Sequence, residues 1–513
     1  MRRIKLIRSN TARSEGESRV SRKLHVLRKS GEYGKASGSA RKSGESRVTR
    51  TPHTARKSGE PRTPRKFHFM RKSGESRVTR TPHTSRRSGA DVKKPNAVIY
   101  FLVYVFIYPI FKIFFRLKVD REDYAPPKGP FIVLSNHTSF MDFLLTMLTI
   151  YPRRLNAVAA QKFYLYKPLN KLLPLMGCIP KNLFDPDIRS IKGIIKVLGR
   201  GDRILLYPEG RCTVAGAYMG MHESTGKLIK KFGAPVLSCH IDGAYTCMPF
   251  WRKGMRFGRV RVTLANLFSA EDTREMSEAE INCRIDARLG GLDARPPKKP
   301  LRVLRARRLA EGLQNILYYC PSCGSEFTLE TAGNVIRCSV CGFAAEMGRD
   351  AKIAPMARRG ARVSSNEFPD TAQKWYKLQC EHETRSLTQD MPPLTVNVTV
   401  RMPGAPGKGI VPCGRGALTL DPKGWRYDGE LNGAPASLVF PIDTVPAMPF
   451  DPDDNFQIYA NGGFYSFTPE GDAPACAKYA TIGECAYWKF ASPVRMTPGC
   501  ESGFPVNDRS NDS

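Results

Sequence analysis

Short apolar runs alternate with amphipathic stretches between residues 120 and 290. The apolar runs indicate strands and the amphipathic stretches indicate helices. This alternation is the pattern of an α/β domain, which we expect over residues 119–300. The predicted strands are Phe131–Ser135, Ile204–Tyr207, Val236–Ile241 and Val260–Leu264, and the predicted helices are Ile188–Leu198 and Ser224–Phe232.

A longer apolar run precedes this domain. It extends from Ala97 to Phe111 and continues after Lys112. This run is short for a membrane span, which needs about 20 residues. We expect residues 95–118 to form a membrane anchor, of the spanning or the monotopic kind; a buried core helix is the alternative. Tyrosines that favour a membrane interface recur on one helical face, at Tyr100, Tyr104 and Tyr108.

Alternation with a period of two returns in the C-terminal part of the chain. Short runs separated by Gly, Pro, Asp and Asn predict a β-rich domain over residues 366–490. We expect the strands to form a barrel that a helix over Cys476–Phe490 caps. Residues 491–513 would form a flexible tail. The predicted strands are 394–400, 417–420, 425–430, 437–441, 456–460 and 464–468.

Charge is distributed unevenly along the 513 residues, whose formal net charge is +34. Residues 1–90 hold 26 lysines and arginines against six glutamates and few apolar residues, and residues 41–54 recur identically at 71–84. We therefore expect a disordered, dispensable basic arm over residues 1–94. Such an arm would attract an anionic membrane or a nucleic acid.

Polar residues follow two of the predicted strands. His137 and Asp142 come after the first strand, where a histidine near neutral pH can act as a base that a carboxylate orients. Asp142 also suits a cap of a helix that starts near Ser139. After the second strand, Glu209 is followed by Gly210, which allows close backbone approach, and by Arg211, whose fork suits a phosphate. A plain turn with a surface ion pair is the alternative there.

These two blocks, His-x4-Asp and Pro-Glu-Gly, resemble those of the glycerolipid acyltransferases, the family of the 1-acylglycerol-3-phosphate acyltransferases. The resemblance implies an α/β acyltransferase domain with a mixed sheet. It implies transfer of a fatty acyl group from acyl-CoA or acyl-carrier protein to a lysophospholipid hydroxyl, most simply to 1-acyl-sn-glycerol 3-phosphate. His137 would be the base and Asp142 its partner, and the reaction would need no cofactor.

The acceptor side of the resemblance implies a phosphate site. Glu209, Gly210 and Arg211 would contribute to it, although here Arg211 follows Gly210 without the family's intervening threonine. Gly177 and Lys181 would belong to a second block, in which the family's arginine is missing and Lys181 is the nearest cation. A lysine meets a phosphate as a point charge and not as a fork.

Four cysteines form two Cys-x-x-Cys pairs separated by 14 residues. This spacing predicts a structural zinc site closed by four thiolates; a redox pair is the weaker alternative. We expect residues 301–346 to form a basic helix, Arg302–Tyr318, followed by this zinc ribbon. The other cysteines of the α/β region, including Cys212, are interpreted as ordinary core or surface residues. The predicted zinc ligands are Cys320, Cys323, Cys338 and Cys341.

Two further classes of function remain open at this stage. The basic arm and the ribbon are typical of a nucleic-acid-binding protein, but that class explains neither the apolar segment nor the strand-end motifs. Within the ribbon only Arg337 is cationic. The β-rich domain could also dock a partner or a lipid headgroup. We expect a membrane-associated enzyme whose active site faces the cytoplasm.

Overall fold

The computed structural model describes residues 92–183, 187–221, 224–290, 301–305, 307–356, 368–405, 407–460, 462–471 and 475–491. All of them lie in one compact unit, Thr79–Ser513. The predicted arm up to residue 91 and the predicted tail from residue 492 lie outside the described residues.

The α/β region contains one mixed sheet with helices on its faces. The predicted strands and helices are confirmed, with ends that differ by a few residues. Its elements are α1 Ala97–Phe114, β1 Lys118–Glu122, β2 Ile132–Ser135, α2 Asp142–Ile150, β3 Leu155–Ala160, α3 Leu169–Leu175, β4 Ile179–Lys181, α4 Ile188–Gly199, β5 Arg203–Leu206, α5 Ser224–Phe232, β6 Val236–Asp242, α6 Ala244–Cys247, β7 Arg261–Phe268, α7 Asp272–Glu275 and α8 Glu278–Leu289.

The strand order in this sheet is β1-β7-β6-β2-β5-β3-β4. Strand β2 lies in the middle and is parallel to both of its neighbours, β5 and β6, and its four residues are fully buried. The pair β6 and β7 is antiparallel and the other neighbouring pairs of this sheet are parallel, so the sheet is mixed. Because β2 and β5 are adjacent and parallel, the loops that follow them meet at one edge of the sheet.

Helix α1 packs on this region through its tyrosine face. Tyr100 is buried and its hydroxyl donates to the carbonyl of Leu155 at 2.6 Å, and the Tyr104 ring stacks on the Tyr108 and Tyr151 rings. The expectation that these tyrosines face a membrane interface was therefore wrong. Tyr100 and Tyr104 find a hydrogen-bonding and an aromatic partner in the rest of the protein, and Tyr108 stacks on Tyr104 of the same helix.

The opposite face of α1 is bare. Most of the helix is exposed, so the core-helix alternative fails. Its 18 residues are long and apolar enough for a membrane segment, and they measure about 27 Å against a hydrocarbon thickness of about 30 Å. A helix with one packed face and one bare apolar face suits the monotopic kind of anchor. The exposed apolar residues are Val98, Phe101, Leu102, Val105, Phe106, Ile110, Ile113 and Phe114.

The segment before the cysteine quartet is not helical. Instead of the expected helix Arg302–Tyr318, its described residues contain a single 3-10 turn, Leu313–Asn315. Gly312 has φ 92°, and a Cβ there would lie 2.7 Å from the Trp251 carbonyl oxygen, so the chain turns sharply at this point. The apolar residues that suggested a helix are buried on either side of this turn. The ribbon follows as a four-stranded sheet of order β11-β10-β9-β8, with β8 Leu329–Ala332, β9 Val335–Cys338, β10 Ala344–Met347 and β11 Ile353–Pro355.

The C-terminal β region is a seven-stranded antiparallel sheet flanked by two helices. Its order is β15-β14-β13-β12-β18-β17-β16, which is open, so the expectation of a closed barrel was wrong. The six predicted strands and the closing helix are confirmed, whereas α9 was not foreseen. The elements are α9 Ala372–Ser386, β12 Leu394–Pro403, β13 Ile410–Asp421, β14 Gly424–Leu431, β15 Ala434–Pro441, β16 Phe450–Asp451, β17 Asn455–Ala460, β18 Gly463–Pro469 and α10 Ala475–Phe490.

The bare face of α1 should hold the protein on lipid. Replacing Phe101 and Phe106 by glutamate should weaken binding to neutral phosphatidylcholine vesicles at high salt by about 100-fold or more, because each buried phenyl ring contributes about 1.5–3 kcal/mol. High salt removes the contribution of the basic arm. Vesicle sedimentation measures the effect, and thermal unfolding should not change.

Two exposed isoleucines of α4 provide the matched control. Ile188 and Ile195 are 66% and 45% exposed, against 52% for Phe101 and 65% for Phe106. The double glutamate variant on α4 should still sediment with the vesicles. Equal binding by both double variants would contradict a lipid contact through α1.

Candidate active site

His137 and Asp142 meet at the carboxyl end of β2. The imidazole Nδ1 of His137 lies 3.0 Å from Oδ2 of Asp142, and the same Oδ2 accepts the Ser139 amide at 2.8 Å. His137 lies in the loop and Asp142 is the first residue of α2, so a pair five positions apart can face each other. The helix begins at Asp142 and not near Ser139, because residues 139–141 form a turn. The Ser139 amide donates to the Asp142 carboxylate across this turn.

The environment of this pair raises the proton affinity of the imidazole, which makes it a stronger base. Burial opposes protonation of His137, but the neighbouring Cys212 and Asp142 outweigh it and raise its pKa well above the usual range. Burial also raises the pKa of Asp142, against hydrogen bonds from His137 and from the Ser139 and Thr138 amides. The His137 side chain keeps 20% exposure while Asp142 has none. Solvent or substrate can therefore reach the ring but not the carboxylate behind it.

Asn136 fixes the loop that carries His137. Its side-chain amide donates to the Ile241 carbonyl at 3.0 Å, and its oxygen accepts the Ile241 amide at 2.8 Å. This double hydrogen bond ties the end of β2 to β6. The imidazole ring of His137 stacks on the Tyr207 ring, with the two ring centroids 4.1 Å apart. The hydrogen bonds of Asn136 fix the loop and the stacking on Tyr207 fixes the ring, so the imidazole is held in one orientation.

Glu209 joins the second motif to the first. One carboxylate oxygen accepts the His137 backbone amide at 2.6 Å and the other accepts the Met219 amide at 3.0 Å. Burial raises the pKa of Glu209 to about 8, against these two hydrogen bonds. Gly210 turns the chain next to it with φ 73°. In this structure Glu209 positions the histidine loop, and its contact with the acceptor stays a prediction.

Arg211 is paired with a residue far along the chain. Its Nη2 donates to Oε2 of Glu484 at 2.6 Å and its Nη1 donates to Oε1, which gives a two-pronged pair with a carboxylate on α10. Both side chains are about nine-tenths buried. The guanidinium fork predicted to meet a phosphate thus holds a carboxylate, and it connects the α/β region to the C-terminal β region.

The second block of the predicted acceptor site is divided between two edges of the sheet. Lys181 ends β4, which is parallel to β3, so it lies at the same carboxyl edge as His137. Gly177 precedes β4 and lies at the opposite edge. A Cβ on Gly177 would come within 2.6 Å of Asn156 Nδ2 and 2.8 Å of Pro95 Cγ, so its role here is close packing.

Cys212 is a member of the site that the sequence interpretation missed. Its Sγ lies 3.2 Å from Nε2 and 3.4 Å from Nδ1 of His137. The thiol is partly exposed. Its position directly after Arg211, within the strand-end motif, was the only signal in the sequence, and a cysteine in an apolar-rich region is usually core.

The four predicted cysteines converge in the ribbon. Their sulfur atoms lie within 4.8 Å of one another, and two of the pairs, Cys320–Cys341 and Cys323–Cys338, are 3.8 Å apart. Four sulfurs at Zn–S distances of about 2.3 Å in a tetrahedron stand about 3.8 Å apart, so the residues fit a zinc ion. Four protein ligands leave no open position for a substrate.

Backbone geometry closes the two knuckles of this cluster, and local hydrogen bonds favour the thiolate form of Cys338. Gly324 and Gly342 follow the pairs with φ 74° and 68°, and their amides donate to the carbonyls of Cys320 and Cys338 to close two tight knuckles. Burial opposes ionisation of Cys338, but the Cys341 amide and the Thr328 side chain outweigh it and lower its pKa to about 6. A thiolate is the form that binds zinc.

Comparison with known proteins assigns the two parts of this arrangement. Residues 116–242 match the family model described as acyltransferase, and these residues contain both strand-end motifs. Residues 313–344 match a zinc-ribbon model described as DNA directed RNA polymerase, 7 kDa subunit, and contain all four cysteines. The chain therefore carries an acyltransferase domain followed by a zinc ribbon.

Among solved structures, the chain is similar to the 1-acyl-sn-glycerophosphate (LPA) acyltransferase PlsC from Thermotoga maritima. The sequence identity is 21% and the TM-score is 0.34. The similarity covers 39% of this chain and 82% of that chain.

The cysteine cluster should bind one zinc ion per chain, as its closed donor set demands. Replacing Cys338 by serine should remove most of the zinc, measured by plasma mass spectrometry. It should also lower the thermal unfolding midpoint, because zinc binds the folded ribbon and not the unfolded chain, and that stabilisation is lost. The exposed Cys283→Ser variant should keep its zinc. Full zinc content in Cys338→Ser would contradict the assignment of the ligands.

The Arg211–Glu484 pair should contribute strongly to stability. Arg211→Ala leaves Glu484 buried without its counter-charge, which should cost about 3–5 kcal/mol of unfolding free energy in chemical denaturation. Arg211→Ala combined with Glu484→Gln should cost less than the two single changes added together. Arg401→Ala is the control, because its ion pair with Asp454 is more exposed, and it should cost about 1 kcal/mol or less.

Proposed function

We propose that the protein transfers a fatty acyl group from an acyl thioester, acyl-CoA or acyl-carrier protein, to the free hydroxyl of a lysophospholipid. The observation that carries this proposal is the His137–Asp142 hydrogen bond at the carboxyl edge of the sheet, inside the residues that match the acyltransferase model. The pair has the orientation that general-base catalysis needs.

The chemistry assigned to the pair follows from its geometry. Asp142 accepts from Nδ1 of His137, which leaves Nε2 to exchange a proton with substrate. The buried carboxylate stabilises the imidazolium that forms when a hydroxyl gives up its proton. Because Glu209 holds the His137 amide, the ring needs little reorganisation during the reaction.

For the acceptor we propose 1-acyl-sn-glycerol 3-phosphate as the first candidate, with phosphatidate as its product. Arg211 and Lys181 are two cations on the carboxyl side of the sheet, and we assign the phosphate to them. Glu484 already engages Arg211, so an acceptor phosphate would compete with that carboxylate. An acceptor of this type resides in a membrane, and the bare face of α1 offers the matching lipid contact. We propose that the active site faces the cytoplasm.

The test is an acyl-transfer assay with a panel of lysophospholipids that differ in headgroup. Purified protein receives labelled acyl-CoA or acyl-carrier protein, and lipid products are separated by chromatography. We expect His137→Ala to lower turnover by about 10²–10⁴-fold, and Asp142→Asn to lower it substantially with the fold retained. Both effects should appear in kcat, because neither residue is assigned to the binding of the headgroup.

His240→Ala serves as the matched control. His240 is another buried histidine that contacts an aspartate, with Nε2 3.1 Å from Oδ1 of Asp242, but it lies within β6 and not in the loop. Its variant should retain turnover. Full turnover in His137→Ala, or no transfer to any lysophospholipid by the wild-type protein, would overturn the proposed function.

A further inference from the structure

A short loop before β7 lies beside the C-terminal end of α1. The ring centroids of Phe257 and Phe114 are 4.7 Å apart, and the Val260 amide donates to the Phe115 carbonyl at 2.9 Å. Phe257 is 46% exposed, and Met255, two residues before it, is 58% exposed. The bare apolar surface of α1 therefore continues onto a second element, which is distant from α1 in the sequence.

Backbone pairing decides which side chains of this loop share its exposed side. Gly258 forms an antiparallel bridge with Val303, and the Arg259 amide donates to the Arg302 carbonyl at 3.1 Å. Side chains alternate along an extended chain, and residues opposite each other across a bridge point to the same side. Phe257, Arg259 and Arg302 therefore share one side, on which Arg302 is exposed, while Val303 is buried on the other.

Cations are concentrated around this apolar surface. Residues 243–270 contain five lysines and arginines, residues 301–310 contain four arginines, and neither segment contains an aspartate or a glutamate. Arg116 is also exposed, and it directly follows the residue of α1 whose carbonyl binds the loop. The resulting positive field attracts anions to the side of the protein on which α1 is bare.

Carboxylates of the flanking elements are engaged with other cations. Asp120 of β1 accepts from Lys118 and from Arg261, and Glu311 pairs with Arg308. These two carboxylates therefore do not cancel the charge of the arginines that lie beside Phe257.

We propose that this surface is a second membrane contact, which binds the headgroups of anionic phospholipids. Its apolar side chains enter the leaflet next to α1, and the guanidinium forks of its arginines bind headgroup phosphates. This inference goes beyond the proposed reaction and does not depend on it. The surface, called the loop patch below, consists of Phe114, Arg116, Met255, Phe257, Arg259 and Arg302.

The exposed apolar residues favour a lipid leaflet over a nucleic acid as the polyanion. A protein holds a nucleic acid through phosphate contacts and through bases that stack on aromatic rings. In the loop patch, Met255 and Phe257 instead extend a row of eight exposed apolar side chains on α1. A basic surface that is continuous with such a row suits the boundary between headgroups and acyl chains.

Vesicle binding tests the proposal. Full-length protein is titrated with phosphatidylcholine vesicles, with and without phosphatidylglycerol, and bound protein is measured by sedimentation. Arg116→Gln combined with Arg302→Gln should weaken binding to the phosphatidylglycerol vesicles by about 30-fold, because each cation at an anionic surface contributes about fivefold. Binding to pure phosphatidylcholine should not change, and high salt should remove the difference between the two proteins.

A charge-matched variant on α4 is the control. Arg189→Gln combined with Lys192→Gln removes the same net charge from two exposed positions and should bind both kinds of vesicle as the wild-type protein does. An equal loss in both double variants, or no loss in either, would overturn the loop patch. A loop-patch variant that keeps its vesicle binding but no longer binds single-stranded RNA would overturn the choice of lipid.

Phe257→Trp reports the position of the loop without changing any charge. Vesicles with brominated acyl chains should quench its fluorescence more than that of the wild-type protein, in which three of the four tryptophans are buried. Absence of this additional quenching would contradict insertion of the loop. Neither experiment requires turnover, so a failure of the proposed function would appear only in the acyl-transfer assay.

Discussion

The hydrogen bond from the His137 amide to the Glu209 carboxylate is the interaction on which the arrangement of the site depends. It joins the loop after β2 to the loop after β5, and the carboxylate's second oxygen holds the Met219 amide. Because Glu209 is half-buried, losing a partner would leave its carboxylate with too few hydrogen bonds, which is costly. This hydrogen bond thereby joins two motifs that lie some seventy residues apart in the sequence. The other contacts of the imidazole depend on the position that it gives to the His137 loop.

The sequence predicts most of the strands and the metal centre well, for physical reasons. A buried central strand such as β2 must be apolar throughout, and four thiolates around zinc require two tight knuckles. Periodicity shows which face of a helix is apolar, but not which partner covers it, so the tyrosine face of α1 was assigned to the wrong environment. The partner of Arg211 lies 273 residues away, and nothing local to either residue indicates it. Cys212 was missed because only the folded loop brings it against His137.

The ribbon connects the two larger parts of the chain. The Trp375 indole of α9 donates to the Tyr319 carbonyl just before the first knuckle, and the Tyr318 hydroxyl donates to Glu383. Lys478 of α10 pairs with Glu326 inside the ribbon. The same helix α10 carries Glu484 to the active-site loop. The ribbon can thus influence the site by fixing where α10 lies.

Helix α1 packs directly against α2, the short helix whose first residue is Asp142. Nine residues of helix are about 14 Å long, so the reactive imidazole stands close to the bilayer if α1 lies in it. A lipid acceptor would then reach the enzyme by lateral diffusion within one leaflet and would never cross bulk water. Its mole fraction in that leaflet, and not its molarity in the surrounding solution, would set how often the two meet.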